Sequence, residues 1–189
     1  MIKSPAIFLD RDGIINKDKG YVYKIEDFEF TDEIFEALQI LSRLKLKLFI
    51  VTNQSGIARN IYSKEEYHKL TDYYLKILEE KEIFITKVYF CPHHPYAGSN
   101  PQKCECRKPK PGMFNLAKDE YDIDLERSFM IGDKITDIIA AEKAGIKKRF
   151  LFTNKKNNNF NFTSDMNVFS SLKNIAYSIK KICIEEKFY

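Results

Sequence analysis

The chain has 189 residues, of which 44% are hydrophobic and 31% charged, and its formal net charge is +4. This composition excludes a disordered chain, and no apolar run reaches the ~18 residues that a membrane span needs. The small positive excess suits a small anionic ligand better than nucleic acid. Because the N-terminus lacks a signal-peptide pattern, we expect a cytoplasmic, single-domain protein without nucleic-acid or membrane partners, and a monomer by default.

Short apolar runs alternate with helical patterns along the chain, which is typical of an α/β protein. Buried strands are predicted at residues 6–9, 48–51, 87–90, 129–131 and 149–152. Helices are predicted at residues 32–44, 63–81, 111–121, 135–144 and 172–184. Ser63 and Glu66 have the spacing of a capping box at the start of the second helix. Five asparagines within residues 154–162 predict an exposed connection.

Polar residues stand at the end of several predicted strands. Strands that alternate with helices form a parallel sheet with right-handed crossovers, so that the strands end at one common edge. Ligands bind beyond this carboxyl edge. The first four strands end at or just before Asp10, Thr52, Cys91 and Asp133. The sequence therefore predicts that its polar chemistry converges on one edge of the sheet.

Two carboxylates, Asp10 and Asp12, follow the first strand in the sequence Asp-Arg-Asp-Gly. One carboxylate of such a pair can attack phosphorus to give an acyl phosphate, while the other donates a proton to the leaving oxygen. The alternative is a plain turn in which the acids cap a backbone bend. The pair alone does not decide between these interpretations.

Three of the four cysteines, Cys91, Cys104 and Cys106, cluster around His93. A secreted disulfide scaffold has more cysteines in a shorter chain. Three thiolates and an imidazole favour a closed, tetrahedral zinc site with a structural role, built by the loop 91–106. His94 is a competing ligand, and three scattered core cysteines beside a surface histidine are the alternative to a metal site.

Four motifs in order along the chain resemble those of haloacid dehalogenase (HAD) type phosphatases. They are DRDG at 10–13, Thr52 in VTNQSG, Lys108 in CRKPKPGM and GDKITD at 132–137. The resemblance covers residues 6–152 and implies a Rossmann-like parallel sheet flanked by helices, with a minimal cap that carries the zinc loop. The phosphatase domain is expected at residues 1–153, with the tail 154–189 packed on it.

The resemblance also implies a Mg²⁺-dependent reaction through an aspartyl phosphate. Asp10 would be the nucleophile, and Asp12 would be the general acid and then the base that activates water. Mg²⁺ would bind Asp133, the Asp10 carboxylate and the Asp12 backbone carbonyl. Thr52 and Lys108 would hold the oxygens of the transferring phosphoryl group, because this reaction mainly needs positioning and charge neutralisation.

The zinc loop narrows the resemblance to a branch with heptose 1,7-bisphosphate and histidinol-phosphate phosphatases. GYV at 20–22, TNQSGIAR at 52–59 and PGM at 111–113 are similar to the heptose enzymes. This similarity implies removal of the C7 phosphate from D-glycero-D-manno-heptose 1,7-bisphosphate, a sugar bisphosphate used in nucleotide-activated heptose biosynthesis for lipopolysaccharide or surface polysaccharide. The implied substrate contacts are Asp18, Lys19, Gly20, Tyr21, Thr52, Asn53, Gln54, Ser55, Arg107, Lys108 and Lys134.

Two alternatives stay open. Histidinol phosphate would favour a neutral or acidic distal pocket, whereas a second phosphate needs cations such as Arg107 and Lys134. A zinc-stabilised binding module without catalysis is the other alternative, and the intact motifs argue against it. The chain departs from the heptose pattern at Asn60, where glycine is usual, and at residues 31–33, which replace a Pro-Gly turn.

Two further expectations concern residues outside the catalytic set. Asp137 is expected to orient a lysine or its own loop rather than to bind the metal directly. The four tyrosines around the second predicted helix fit an amphipathic face against the core better than a nucleic-acid stacking surface. They are Tyr62, Tyr67, Tyr73 and Tyr74.

Overall fold

A parallel sheet carries the fold in the computed structural model, which describes residues 3–98, 101–153 and 166–188. Its six strands are β1 (Ala6–Leu9), β2 (Lys47–Asn53), β3 (Lys87–Cys91), β4 (Phe129–Gly132), β5 (Lys148–Phe152) and β6 (Met166–Phe169). They lie in the order β3-β2-β1-β4-β5-β6, and each neighbouring pair is parallel. The predicted α/β fold class and the first five strands are confirmed.

The five predicted helices are present within two residues of their expected ends. They are α1 (Ile34–Ser42), α2 (Lys64–Glu79), α3 (Gly112–Tyr121), α4 (Ile135–Lys143) and α5 (Leu172–Glu185). Ser63 caps α2 as predicted, since its side chain accepts from the Glu66 amide while the Glu66 carboxylate accepts from the Ser63 amide. Within the described ranges, no helix is long and apolar enough to cross a bilayer.

Strand β6 was not predicted from the sequence. It pairs only with β5, at the edge of the sheet, and Val168 is 43% exposed. An edge strand of four residues that includes a polar Asn167 has no continuous apolar run for a sequence pattern to detect. The asparagine-rich connection predicted at residues 154–162 lies outside the described residues.

Side chains of each strand alternate between two apolar layers, as the two-residue period of a strand requires. Ile7 and Leu9 of β1 join the layer that contains α1, α2 and α5. Ala6 and Phe8 join the layer beside α3 and α4. The sheet is therefore covered on both faces, which leaves its edges and strand ends for binding.

The strand order changes direction at β1. From β1 the chain adds β2 and β3 on one side, and then crosses over to add β4, β5 and β6 on the other. Ligands of such sheets bind at this switch point, beyond the carboxyl ends of the strands. Here β1 leads into Asp10 and β4 leads into Asp133.

The structure gives a physical reason for the two departures from the heptose pattern. Asn60 and Glu33 have φ angles of 56° and 63°, in the left-handed region that glycine adopts most easily. Asparagine tolerates this region. Glu33 gains compensating hydrogen bonds, because its carboxylate accepts from the Ser171 hydroxyl at 2.7 Å and from the Lys173 amide at 3.2 Å.

Candidate active site

A buried lysine joins two carboxylates at the switch point. The Nζ atom of Lys108 lies 2.8 Å from Asp10 Oδ1 and 2.7 Å from Asp137 Oδ1, and it also donates to the Val51 carbonyl at 2.7 Å. The side chains of Lys108 and Asp137 are each 1% exposed. The ammonium group therefore has two hydrogen-bond acceptors and a close ion contact with Asp137, so this buried cation is paired. The expected role of Asp137 in orienting a lysine agrees with this contact.

The backbone of Lys108 is held by a neighbouring amide. Asn53 Nδ2 donates to the Lys108 carbonyl at 3.0 Å, and Asn53 Oδ1 accepts from the Lys108 amide at 3.0 Å. This two-way contact fixes the CRKPKPGM loop to the end of β2. Asn53 was predicted to contact substrate, but the structure shows its side chain engaged with the lysine backbone.

Three carboxylates, from Asp10, Asp133 and Asp137, each offer an oxygen within 4.8 Å of the others. Burial, followed by the neighbouring Asp137, raises the pKa of Asp10 to about 8. Burial likewise raises the pKa of Asp133 to about 6. Three carboxylates face one buried ammonium, and the second nearby cation, Lys134, is half exposed and 4.0 Å from Asp133, so ionisation of all three leaves an excess of negative charge.

The free oxygen of Asp133 marks where a cation fits. Asp133 Oδ1 is buried and has no hydrogen-bond partner among the described residues. The loop after β1 passes so close that a Cβ atom on Gly13 (φ +95°) would lie 2.2 Å from Asp133 Oδ2. Hard divalent cations prefer carboxylate and carbonyl oxygens. The residues present therefore fit a divalent cation such as Mg²⁺.

The Asp12 carboxylate is held in place by hydrogen bonds from three residues. Its Oδ1 accepts from Arg11 Nη2 at 2.6 Å and from Asn16 Nδ2 at 3.0 Å. Its Oδ2 accepts from Gln54 Nε2 at 2.9 Å. Arg11 is itself 1% exposed and also donates to the Val22 carbonyl. The Asp12 carboxylate is thus positioned through both of its oxygens, which a simple turn-capping role does not require.

The predicted Cys/His cluster is assembled. The sulfur atoms of Cys91, Cys104 and Cys106 lie 3.1–3.5 Å apart. His93 Nδ1 lies 3.3 Å from the Cys106 sulfur and 3.7 Å from the Cys91 sulfur. The cysteines are free thiols. A tetrahedral Zn–S bond of ~2.3 Å places sulfurs ~3.8 Å apart, so four such ligands are compatible with a zinc-binding loop.

The cluster is joined to the motif that follows β2. The Gln54 amide donates to the Cys91 carbonyl at 2.8 Å, and the Ala58 amide donates to the Pro92 carbonyl at 3.2 Å. Arg107 Nη1 donates to the His93 carbonyl at 3.3 Å. A change in the Cys/His cluster would therefore move both the TNQSGIAR segment and the CRKPKPGM segment.

The remaining predicted contacts divide into two groups. Thr52 is buried beside Asp12, where its hydroxyl accepts from Gln54 Nε2 at 2.8 Å, and Ser55 is half-buried in the same loop. In the second group, Asp18 accepts from Lys134 Nζ at 2.8 Å, and Lys19 pairs with the exposed carboxylate of Glu29.

Gly20 and Tyr21 complete the second group. The Gly20 amide donates to Asp18 Oδ1 at 3.0 Å, and Tyr21 is 46% exposed. The Asp18–Lys134 pair joins this loop to the loop after β4, so the sequence-distant predicted contacts do meet at the carboxyl edge.

Two buried residues of this site were missed at the sequence level. Arg11 and Asn16 hold Asp12, and both are almost completely buried. From the sequence alone, a charged residue between two aspartates is expected at the surface, because the backbone turn that buries it is not known. The one available signal was the position of Arg11 inside the DRDG motif.

Comparisons with known proteins agree with this geometry. A family model described as HAD-hydrolase-like matches residues 105–173. A solved D,D-heptose 1,7-bisphosphate phosphatase from Bordetella bronchiseptica, complexed with magnesium and phosphate, superposes with a TM-score of 0.82 at 26% identity. The match covers 94% of this chain and 99% of that chain. The fold is that of a HAD-like hydrolase.

Relatives found by sequence similarity show which family of HAD-like hydrolases includes this chain. D-glycero-alpha-D-manno-heptose-1,7-bisphosphate 7-phosphatase from Campylobacter jejuni is 49% identical over 155 residues, covering 82% of this chain and 86% of the relative. D-glycero-beta-D-manno-heptose-1,7-bisphosphate 7-phosphatase from Photorhabdus laumondii is 43% identical over 181 residues, covering 94% of this chain and 96% of the relative. The chain therefore belongs to the heptose-1,7-bisphosphate 7-phosphatase family of HAD-like hydrolases.

The buried ion contacts predict that substitution of Lys108 destabilises the protein much more than substitution of Lys110, two residues along in the same motif. Lys108→Met leaves Asp10 and Asp137 without their shared cation, and we expect it to lower the free energy of unfolding by about 3–5 kcal/mol. Lys110→Met, the control, removes only an exposed pair with Glu105, which is worth about 1 kcal/mol or less. Urea unfolding measures both, and equal losses would contradict the analysis of the buried site.

Proposed function

We propose that this chain is a Mg²⁺-dependent phosphatase that removes the C7 phosphate of D-glycero-D-manno-heptose 1,7-bisphosphate and leaves the 1-phosphate. It acts as a cytoplasmic monomer on this small molecule, in the supply of nucleotide-activated heptose. The observation that carries the proposal is the ion contact of Lys108 with Asp10 and Asp137, opposite Asp133, in a chain with near full-length heptose phosphatase relatives.

Asp10 is the proposed nucleophile. Its Oδ1 already accepts from Lys108 Nζ at 2.8 Å and from the Arg11 amide at 2.8 Å. These two donors leave Oδ2 as the oxygen that faces substrate. The Oδ2 atom forms a bond to phosphorus as the bond between phosphorus and the C7 oxygen breaks, giving an aspartyl phosphate. Lys108 and Thr52 hold the phosphoryl oxygens in place.

Asp12 is the proposed proton carrier. It gives its proton to the departing C7 oxygen, which leaves as the neutral hydroxyl of heptose 1-phosphate. The resulting carboxylate then takes a proton from water, whose oxygen attacks phosphorus. The bond between phosphorus and Asp10 breaks, phosphate leaves, and both aspartates return to their starting states.

Mg²⁺ is proposed to bind Asp133, the Asp10 carboxylate and the Asp12 backbone carbonyl. It would neutralise negative charge on the phosphoryl group and on the clustered carboxylates. The raised pKa values of Asp10 and Asp133 support this assignment, because a divalent cation offsets the burial, and secondly the mutual repulsion, that oppose their ionisation.

Zn²⁺ is proposed for the Cys91, His93, Cys104 and Cys106 cluster. Four protein ligands leave no open position, so the role is structural. The zinc loop would hold Arg107 near the mouth of the site. The proposed catalytic domain is residues 1–153, with the tail 154–189 packed on it, and the buried apolar face of α5 supports this arrangement.

The second phosphate of the substrate is assigned to cations around the site. Arg107 and Lys134 are proposed for this role. The loop of Asp18, Lys19, Gly20 and Tyr21 and the segment of Asn53, Gln54 and Ser55 are proposed as contacts to the rest of the substrate. Alpha- and beta-specific relatives match at similar identity, so both anomers belong in the test.

Phosphate release with Mg²⁺ tests the proposed reaction. We expect strong preference for one anomer of heptose 1,7-bisphosphate over histidinol phosphate, because a bisphosphate matches the cations at the mouth. Asp10→Asn should reduce kcat by a factor of at least about 10⁴, since it removes the nucleophile, while the folded circular dichroism spectrum stays unchanged. Preference for histidinol phosphate, or substantial turnover by Asp10→Asn, would overturn the proposal.

Metal analysis tests the zinc assignment. The purified protein should hold about one zinc per chain, and Cys104→Ser should lose most of the metal and some thermal stability because one of four ligands is gone. Cys183→Ala is the matched control, since Cys183 is buried in the core outside the cluster. Full zinc content in Cys104→Ser would refute the assignment.

A further inference from the structure

A chain of hydrogen bonds leads from a buried tyrosine to Asp12. The Tyr62 hydroxyl donates to Gln54 Oε1 at 2.6 Å. Gln54 Nε2 in turn donates to Asp12 Oδ2 at 2.9 Å and to the Thr52 hydroxyl at 2.8 Å. Tyr62 is 5% exposed and Gln54 is 2% exposed, so water does not compete for these bonds.

We propose that Tyr62 is a positioning residue for the proton transfer by Asp12, acting through the side-chain amide of Gln54. The proposal rests on the function proposed above, in which Asp12 is the general acid. Tyr62 itself is separated from Asp12 by Gln54 and contacts no reacting atom.

The two oxygens of Asp12 have different surroundings. Oδ1 accepts from Arg11 and Asn16, so its lone pairs are occupied. Among the described residues, Oδ2 accepts a hydrogen bond only from Gln54. A carboxyl group has room for a proton on the oxygen with fewer donors, and Oδ2 is therefore the oxygen that carries the proton to the leaving group.

The orientation of the Gln54 amide decides whether that proton is available. In the observed orientation the NH₂ group faces Asp12 and cannot accept its proton. If the amide were reversed, Oε1 would lie beside Asp12 and would accept the same proton, in competition with the leaving oxygen. The Tyr62 hydroxyl opposes this reversal, because its proton needs Oε1 as an acceptor.

Tyr62 is well suited to fix this orientation. Burial raises its pKa above the ordinary value, so the hydroxyl keeps its proton at working pH. Its ring stacks on Tyr23, with centroids 5.1 Å apart and an interplanar angle of 15°. Gly56 also lies directly against the Tyr62 ring, since a Cβ atom there would be 2.0 Å from Tyr62 Cε1. The hydroxyl is thus held by a ring with little freedom to move.

The test compares two leaving groups in Tyr62→Phe, which keeps the ring and removes the hydroxyl. The value of kcat/KM for heptose 1,7-bisphosphate should fall about tenfold, because the C7 alkoxide is a poor leaving group and needs the proton. The value for p-nitrophenyl phosphate should fall less than twofold, since nitrophenolate leaves without one. The parameter kcat/KM reports steps up to the first P–O cleavage, so hydrolysis of the aspartyl phosphate does not mask the difference.

Tyr74→Phe is the matched control. Its hydroxyl is buried on α2, and no described residue accepts from it or donates to it. We expect kcat/KM for both substrates to stay within twofold of wild type. In a Gln54→Leu background, Tyr62→Phe should cause no further loss, because the side chain through which it acts is gone.

Equal losses on both substrates in Tyr62→Phe would show a structural role and overturn the proposal, as would additive losses in the Gln54→Leu background. The proposed function fails separately. Wild-type protein that cleaves p-nitrophenyl phosphate but not heptose 1,7-bisphosphate would refute the substrate, and glucose 6-phosphate would then replace the heptose as the alkyl phosphate in the same comparison.

Discussion

The site depends on one buried ion contact, in which the Lys108 ammonium lies between Asp10 and Asp137. Removing these charges from water costs several kcal/mol per ion, and only close, fully hydrogen-bonded geometry offsets that cost. Four segments must meet within a few tenths of an ångström for this to happen. They are the end of β1, the Val51 carbonyl of β2, the loop before α3 and the first turn of α4.

The rest of the architecture supplies that precision. The switch in strand order at β1 brings Asp10 beside the loop after β4, where Asp133 and Asp137 begin the next crossover. The Cys/His cluster and the Asn53 amide hold the segment that carries Lys108. The Cys/His cluster is therefore connected to the proposed catalytic residues through backbone geometry, even though its own side chains are not in contact with the proposed reacting atoms.

The sequence was sufficient to predict which polar residues lie at the carboxyl ends of the strands. Strand ends at Asp10, Thr52, Cys91 and Asp133 follow from apolar runs and from the rule that parallel strands end together. The cysteine spacing likewise predicted the cluster. These inferences depend on local patterns and on topology, both of which a single sequence contains.

The sequence was insufficient where a side chain has two plausible partners. The Asn53 amide could face substrate or the Lys108 backbone, and only the folded chain shows the second. Arg11 could be solvated or buried against Asp12. Tyr62 was interpreted as part of a core face, and its hydrogen bond to Gln54 depends on a contact made by the loop before α2. Strand β6 forms by pairing with β5 at the edge of the sheet, and its sequence has no continuous apolar run from which a strand could be predicted.

The stereochemical course at phosphorus tests the central claim most directly, namely that Lys108 holds Asp10 as a nucleophile. A heptose 7-phosphorothioate made chiral with ¹⁶O and ¹⁸O, hydrolysed in water enriched in ¹⁷O, yields chiral thiophosphate. Two successive in-line displacements, at Asp10 and then at water, predict net retention of configuration. Net inversion would show a single direct attack by water and would contradict the account.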